Sequence, residues 1–296
     1  MPQQLFYNIA GHCISIETPN AEITAGLIPA FRSFRIEPDN NRIKPYQSVE
    51  LLFRLSGDKN IPIPGVGPAD TLVVEGVEFV VYQTETGITV SMQIKDKKYL
   101  LQMSQDRKTA TTDLSLTQHH EGYFLTYILR TAFGIASAYH KTLKIHASVI
   151  KKDGKALVFL GKSGTGKSTH SRLWQEFVPG CTLLNDDEPL VRLTDDGLVW
   201  VYGAPWSGST PCYLNEKAEV AAFVQLKQSP ENELRPLKAV EAFKVLFQSA
   251  SVLRSAPQHR DCIISLIYEI LEKVPFYRLD NRPDYEAVSL SKTLLI

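Results

Sequence analysis

The sequence predicts a mixed α/β protein, α+β overall, with an antiparallel β domain over residues 1–118 and a domain of interleaved strands and helices over 119–296. Three observations support this. Between Thr71 and Met103 four short β-rich segments are parted by turn residues at 75–76, 85–87 and 95–97, the pattern of a meander. From about Glu121 the apolar spacing changes to three and four, the period of an amphipathic helix. Near the middle of the chain, the apolar run 156–160 meets a glycine-rich loop and then a helix-forming segment.

Taken in order, strands are expected at 5–9, 13–16 and 49–55. The segment 61–68 is expected as a loop, because its prolines lack amide donors and its glycines resist ordering. Phe124, Tyr127, Ile128, Thr131, Ile135, Ala138 and Tyr139 mark one face of a helix ending at His140 and Lys141. His119, His120 and His140 are read as helix-end residues. A strand at 145–150, a turn at 152–154 and a strand at 156–160 follow. Helices are expected at 168–177, 240–253 and 262–273, and strands at 182–184, 190–193, 198–202 and 221–226. Asp195-Asp196-Gly197 reads as a hairpin turn.

Thirty-two Lys and Arg balance thirty-two Asp and Glu, so no net field draws the chain to nucleic acid or to an anionic membrane surface. Cys13, Cys181, Cys212 and Cys262 are far apart and lack metal-ligand spacing; buried free thiols, suited to a reducing compartment, are expected. The N-terminus has no cationic stretch followed by an apolar run, and no apolar run approaches the roughly 18 residues that span a bilayer. A cytoplasmic protein is therefore expected, with a second copy of the chain left open as a partner.

Residues 161–168, Gly-Lys-Ser-Gly-Thr-Gly-Lys-Ser, satisfy G-x-x-x-x-G-K-[ST] between a strand and a helix. Gly161, Ser163, Gly164, Thr165, Gly166 and Thr169, with Lys167 and Ser168, are the expected contacts of a nucleotide phosphate chain. Glycines let backbone amides approach phosphate oxygens, and a helix N-terminus adds unpaired N–H groups. Lys167 would neutralise phosphate charge and the Ser168 hydroxyl would hold Mg²⁺. Asn185-Asp186-Asp187-Glu188 follows a strand that would deliver carboxylates to this loop. Adjacent acids point in different directions, so Asp186 and Asp187 can divide metal binding and general-base work. His146 precedes the loop by one hairpin, and the residues alone leave it open between site and core. The turn-rich segment 202–211, around Trp206, is read as a substrate-contacting loop, with a rigid corner as the alternative.

His146-Ala-Ser-Val-Ile, the Lys152-Asp-Gly turn, the strand and loop over 156–168 and Leu184-Asn-Asp-Asp187 together resemble the catalytic domain of HPr kinase/phosphorylase, which shares its nucleotide-binding core with phosphoenolpyruvate carboxykinase. The resemblance covers residues 143–193 well and the rest of the second half loosely. It implies that Lys167 and Ser168 bind ATP-Mg²⁺, that Asp186 binds metal, that Asp187 is the base toward a serine-like hydroxyl, and that His146 supports the acid pair. Residues 203–208 resemble a motif of bacterial relatives found beside peptide-modification genes. The chain departs from the HPr-specific enzymes at Thr169, where they carry an acid, in lacking an arginine-glycine-rich C-terminal signature, and in its N-terminal meander. These departures point away from HPr as acceptor.

The expectation is therefore an ATP- and Mg²⁺-dependent phosphotransferase acting on a hydroxyl of a protein, peptide or small molecule. The alternatives are a non-catalytic ATP-binding regulatory module and a carboxykinase-type enzyme acting on an organic acid, for which Arg130, Arg172, Arg192 and Arg278 are available.

Overall fold

The computed structural model describes residues 1–36, 50–74, 76–208 and 210–295. Val49, Glu75 and Ser209, which enter the expectations above, lie outside them. The chain is mixed α/β with two large sheets and divides into two compact units, Met1–Ser137 with Leu253–His259 and Ala138–Val252 with Arg260–Ile296. The helix that begins near Glu121 is thus grouped with the first sheet, although the change of period placed it with the second half.

In the first unit, β1 (Gln3–Ile9) and β2 (His12–Thr18) form a hairpin, and α1 (Ala21–Leu27) and a 3₁₀ turn (Pro29–Phe34) lead to β3 (Arg35–Ile36). Next comes β4 (Leu51–Gly57), and β5 (Asp70–Val74), β6 (Val77–Thr84), β7 (Gly87–Ile94) and β8 (Lys97–Ser104) are the four strands of the meander. After β9 (Thr109–Thr112), α2 (Gly122–Ser137) packs on β4 and β8. The sheet order is β3-β1-β2-β4-β9-β8-β7-β6-β5. It is not the antiparallel sheet expected, because β4 runs parallel to both of its neighbours, β2 and β9. Strand direction follows from connections: β2 reaches β4 through α1 and β3, and β4 reaches β9 only after the whole meander.

The second unit contains β10 (Thr142–Lys144), β11 (Ala147–Lys152), β12 (Lys155–Leu160), α3 (Lys167–Phe177), β13 (Thr182–Asp187), β14 (Leu190–Leu193), β15 (Val199–Tyr202), β16 (Lys217–Gln228) and β17 (Glu233–Pro236). Then come α4 (Ala239–Ser249), α5 (Pro257–Leu271, of which residues from Arg260 belong here), β18 (Phe276–Asn281) and α6 (Tyr285–Lys292). The sheet order is β10-β14-β15-β16-β12-β11-β13, with β18 parallel to β16 and β17 antiparallel to β18. Along β12 the side chains alternate between two cores. Ala156, Val158 and Leu160 join α4 and α5 residues such as Leu246 and Ile267, whereas Leu157 and Phe159 join Trp174 of α3 and Ala287 of α6. A strand buried on both faces reads as a continuous apolar run, which is why 156–160 was legible.

The helix expected over 240–253 stops at Ser249, because residues 249–251 instead pair with 144–146: His146 N–H donates to Ser249 O and Ser251 N–H to Lys144 O. Cys13 and Cys212 are buried free thiols as expected, but Cys181 and Cys262 are only partly buried. Among the described residues, no helix is long and apolar enough to cross a membrane.

Candidate functional site

Strand pairing brings the site together. β11 lies between β12 and β13, with Ala147 opposite both Leu160 and Asp187. His146, one residue earlier, therefore stands at the sheet end where β12 releases Gly161 and β13 ends in its acids. The loop from 161 to 166 carries Ser163 and Gly164 exposed and turns on bonds from Thr165 N–H and Oγ1 to Lys162 O, at 3.2 and 2.9 Å. Gly166 caps α3 at φ 97°, a left-handed conformation that costs a residue with a Cβ, and no side chain caps the helix. The first N–H groups of α3 and the exposed loop form a geometry suited to an anion. Thr169 sits partly buried in that first turn. α3 is fixed from behind by Trp174, fully buried, whose indole N–H donates to Ser291 Oγ of α6 at 3.0 Å.

Lys167 is buried and its ammonium lies 2.9 Å from Gly161 O, 3.3 Å from Lys162 O and 3.0 Å from His146 Nε2. An ammonium only donates, so Nε2 accepts and the His146 proton sits on Nδ1, which faces Asp187 Oδ1 at 3.2 Å. Asp187, His146 and Lys167 thus form one chain of polar contacts. Burial pulls the Lys167 pKa below its ordinary value, while Asp186 and Asp187 act in the opposite direction. Asp186, nearly buried, faces the other way and accepts from Ser168 Oγ at 3.0 Å. The two acids divide as alternation along a strand requires. Asp187 holds φ at 154°, a backbone conformation L-residues rarely adopt.

The structure therefore gathers Gly161, Lys167, Ser168, Asp186, Asp187 and His146. Of the arginines considered for an organic acid, Arg172 lies in α3 one turn beyond Ser168, Arg192 lies in β14, Arg278 of β18 is bound to Asp280 at 2.6 Å, and Arg130 belongs to the first unit. Sequence reasoning missed Gln228 at the end of β16, whose Nε2 donates to Gly164 O at 3.2 Å. It also missed Lys144, whose ammonium meets Glu188 at 2.9 Å in a little-exposed pair just beyond the acids. β16 runs parallel to β12, so both strands end on the same side of the sheet, a signal available only from topology.

A hard divalent cation prefers oxygen ligands, and Ser168 Oγ and Asp186 Oδ1 supply two of them. Among the described residues no group of three or more His, Cys, Asp and Glu forms a metal cluster. A cation here would complete its shell with oxygens from outside the protein, as Mg²⁺ commonly does with water and phosphate.

No family model and no curated protein matches the chain. Among solved structures, the Hpr(Ser) kinase/phosphatase from Coxiella burnetii aligns at a TM-score of 0.31 and 14% identity, over 51% of this chain and 87% of that one. At that distance the functional reading rests on the geometry of the site itself.

Proposed function

We propose that the second unit is an ATP- and Mg²⁺-dependent phosphotransferase that phosphorylates a hydroxyl of a protein, peptide or small molecule. The observation that carries this reading is the division of the two adjacent acids at the glycine-rich loop, Asp186 toward Ser168 and Asp187 toward His146.

In this reading the exposed amides of residues 163–168 hold the phosphate chain and Ser168 and Asp186 hold the metal. Bound there, Mg²⁺ supplies neutralisation of phosphate charge. Lys167 exchanges its contacts with the loop carbonyls for a γ-phosphate oxygen, a change that its partial desolvation favours because the charge is poorly served by solvent where it lies. Asp187 accepts the proton of the acceptor hydroxyl as the new P–O bond forms and the bond to the ADP oxygen breaks. His146, donating through Nδ1, fixes the orientation of that carboxylate.

Titration calorimetry and label transfer test the reading directly. The expected result is Mg²⁺-dependent binding of ATP and transfer of the γ-phosphate from labelled ATP into hydroxyl-bearing acceptors. Tight metal-dependent binding without transfer to any acceptor would favour the regulatory module instead. Absence of binding would end both.

A further inference from the structure

β13, which carries both acids, is the last strand of its sheet path, so among the described residues one of its edges has no strand beside it. An open edge leaves backbone carbonyls without partners and lets a strand end fray. That edge is covered by residues 203–208 and 210–212, which form neither helix nor strand. Cys212 Sγ reaches Leu183 O at 3.3 Å, Gly208 N–H donates to Asp186 O at 2.9 Å, and Ser207 Oγ reaches the same oxygen at 3.3 Å. Trp206 is bonded at both ends: its indole N–H donates to Glu188 O at 2.8 Å, and its carbonyl accepts from the fully buried Asn185 side chain at 3.0 Å. The approach is close throughout. A Cβ on Gly203 would stand 3.2 Å from Leu184 O, and one on Gly208 would stand 3.2 Å from Asp186 O and 3.4 Å from Asp187 Cβ.

We infer that residues 203–208 and 210–212 are a clamp on the acid-bearing strand, and that Trp206 is a positioning residue whose two hydrogen bonds straddle Asp186 and Asp187 and set where their carboxylates point. This deepens the proposed phosphotransferase site and rests on that reading for its effect on turnover. The clamp itself does not depend on it. Trp206 acts through the Asn185 side chain on one side of the pair and the Glu188 backbone carbonyl on the other. The indole N–H is the part that matters, because the ring alone could be replaced by another aromatic of similar packing.

Trp206→Phe deletes that donor and keeps an aromatic ring, and Gly208→Ala keeps the donor to Asp186 O while pressing a methyl group on Asp187. In the protein without nucleotide, Trp206→Phe is expected to speed amide exchange at residues 185–188 relative to the rest of β11–β13, with little change in the melting temperature. In the transfer assay both variants are expected to lower kcat by about tenfold to a hundredfold, the scale of a misplacement near 1 Å, with KM for ATP nearly unchanged. A Trp206→Phe protein with wild-type exchange at 185–188 would overturn the clamp, whatever the activity. Local exchange that rises while kcat stays at the wild-type value for both variants would overturn the positioning role. A wild-type protein with no transfer removes the phosphotransferase reading and leaves the exchange result to decide the clamp.

Discussion

Each unit holds a buried carboxylate, and the two are satisfied in opposite ways. In the first unit Glu121 accepts from Ser115 N–H at 2.8 Å, Ser115 Oγ at 2.9 Å and Gln118 N–H at 3.1 Å, all within the turn that starts α2. Those donors are local and two are backbone, and the bond from Gln118 N–H is one half of a capping box between Gln118 and Glu121. In the second unit Asp186 meets the Ser168 hydroxyl and Asp187 meets His146, partners that can themselves bind or pass on a ligand and that come from 18 and 41 residues away (186 − 168 and 187 − 146). The difference separates a carboxylate that builds a turn from carboxylates held ready for chemistry. Local backbone donors make a fold; distant side-chain partners make a site.

The contrast is tested hardest at the site end. Lys167→Ala is expected to lower kcat by about 10²–10³, the loss of a preorganised charge worth about 3–4 kcal/mol in the transition state, and Asp187→Asn to remove proton acceptance with binding of Mg²⁺-ATP retained. Label transfer and calorimetry on the purified variants read both. Asp187→Asn transferring at the wild-type rate would remove its role as base and place it with Glu121 as a structural acid.

How far this division was visible without coordinates depends on what each feature rests upon. The strand, loop and helix around Gly161–Ser168 were legible because a doubly buried strand is continuously apolar and the loop needs its glycines at fixed spacing. The acids were legible as the end of a strand. His146 was open between site and core from the residues alone and was tied to the acid pair only through the family resemblance, because its place depends on β11 pairing with both β12 and β13, and register is a long-range property. The segment around Trp206 was read from its turn formers as a substrate-contacting loop, with a rigid corner as the alternative, since a segment that covers an edge without becoming a strand has no periodicity to show it. In the first unit the meander was clear from its turns, whereas the parallel placement of β4 was invisible to residue pattern. β9, only four residues of Thr and Ala, fell below any strand signal. α1 was not foreseen: Asn20 caps it, its side chain accepting from Ile23 N–H at 3.0 Å, but seven residues are too few to show a helical period.

Where the two units agree is in their buried histidines. His259 of the first unit accepts Leu253 N–H at Nδ1, 3.2 Å away, and His170 of the second lies against Phe159 and Ser291. Burial holds each pKa down at about 4, against an ordinary value of 6.5. A folded-state pKa below the unfolded one means that the unfolded chain binds the proton more readily, so the stabilisation is complete above pH 6.5 and is lost as pH falls from 6.5 toward 4. Each group is expected to contribute about 3 kcal/mol over that window. Urea titrations at a series of pH values should show the loss. His170→Gln and His259→Gln should each flatten the slope, and amide exchange should locate the flattening in the second and first unit respectively. An unchanged slope in both variants would show that the acid response lies elsewhere.

The smallest expected effect probes the carboxylate that only builds structure. Glu121→Gln keeps the shape of the side chain and one carbonyl oxygen, so it can retain a bond from Ser115 or Gln118 but not all three contacts, and its amide brings donors to a place that presents donors. The expected cost is about 1–3 kcal/mol, the range for leaving a buried polar group imperfectly paired. It should appear in urea unfolding and as faster exchange at the start of α2. Transfer activity per folded molecule should stay at the wild-type level, because nothing that Glu121 touches among these contacts belongs to the loop, the acids or His146. A fall in kcat with stability intact would make Glu121 part of the working machinery and break the distinction between the two kinds of buried acid; a fall in stability alone would sharpen it, since the same chemical group would then serve folding in one unit and catalysis in the other by its partners alone.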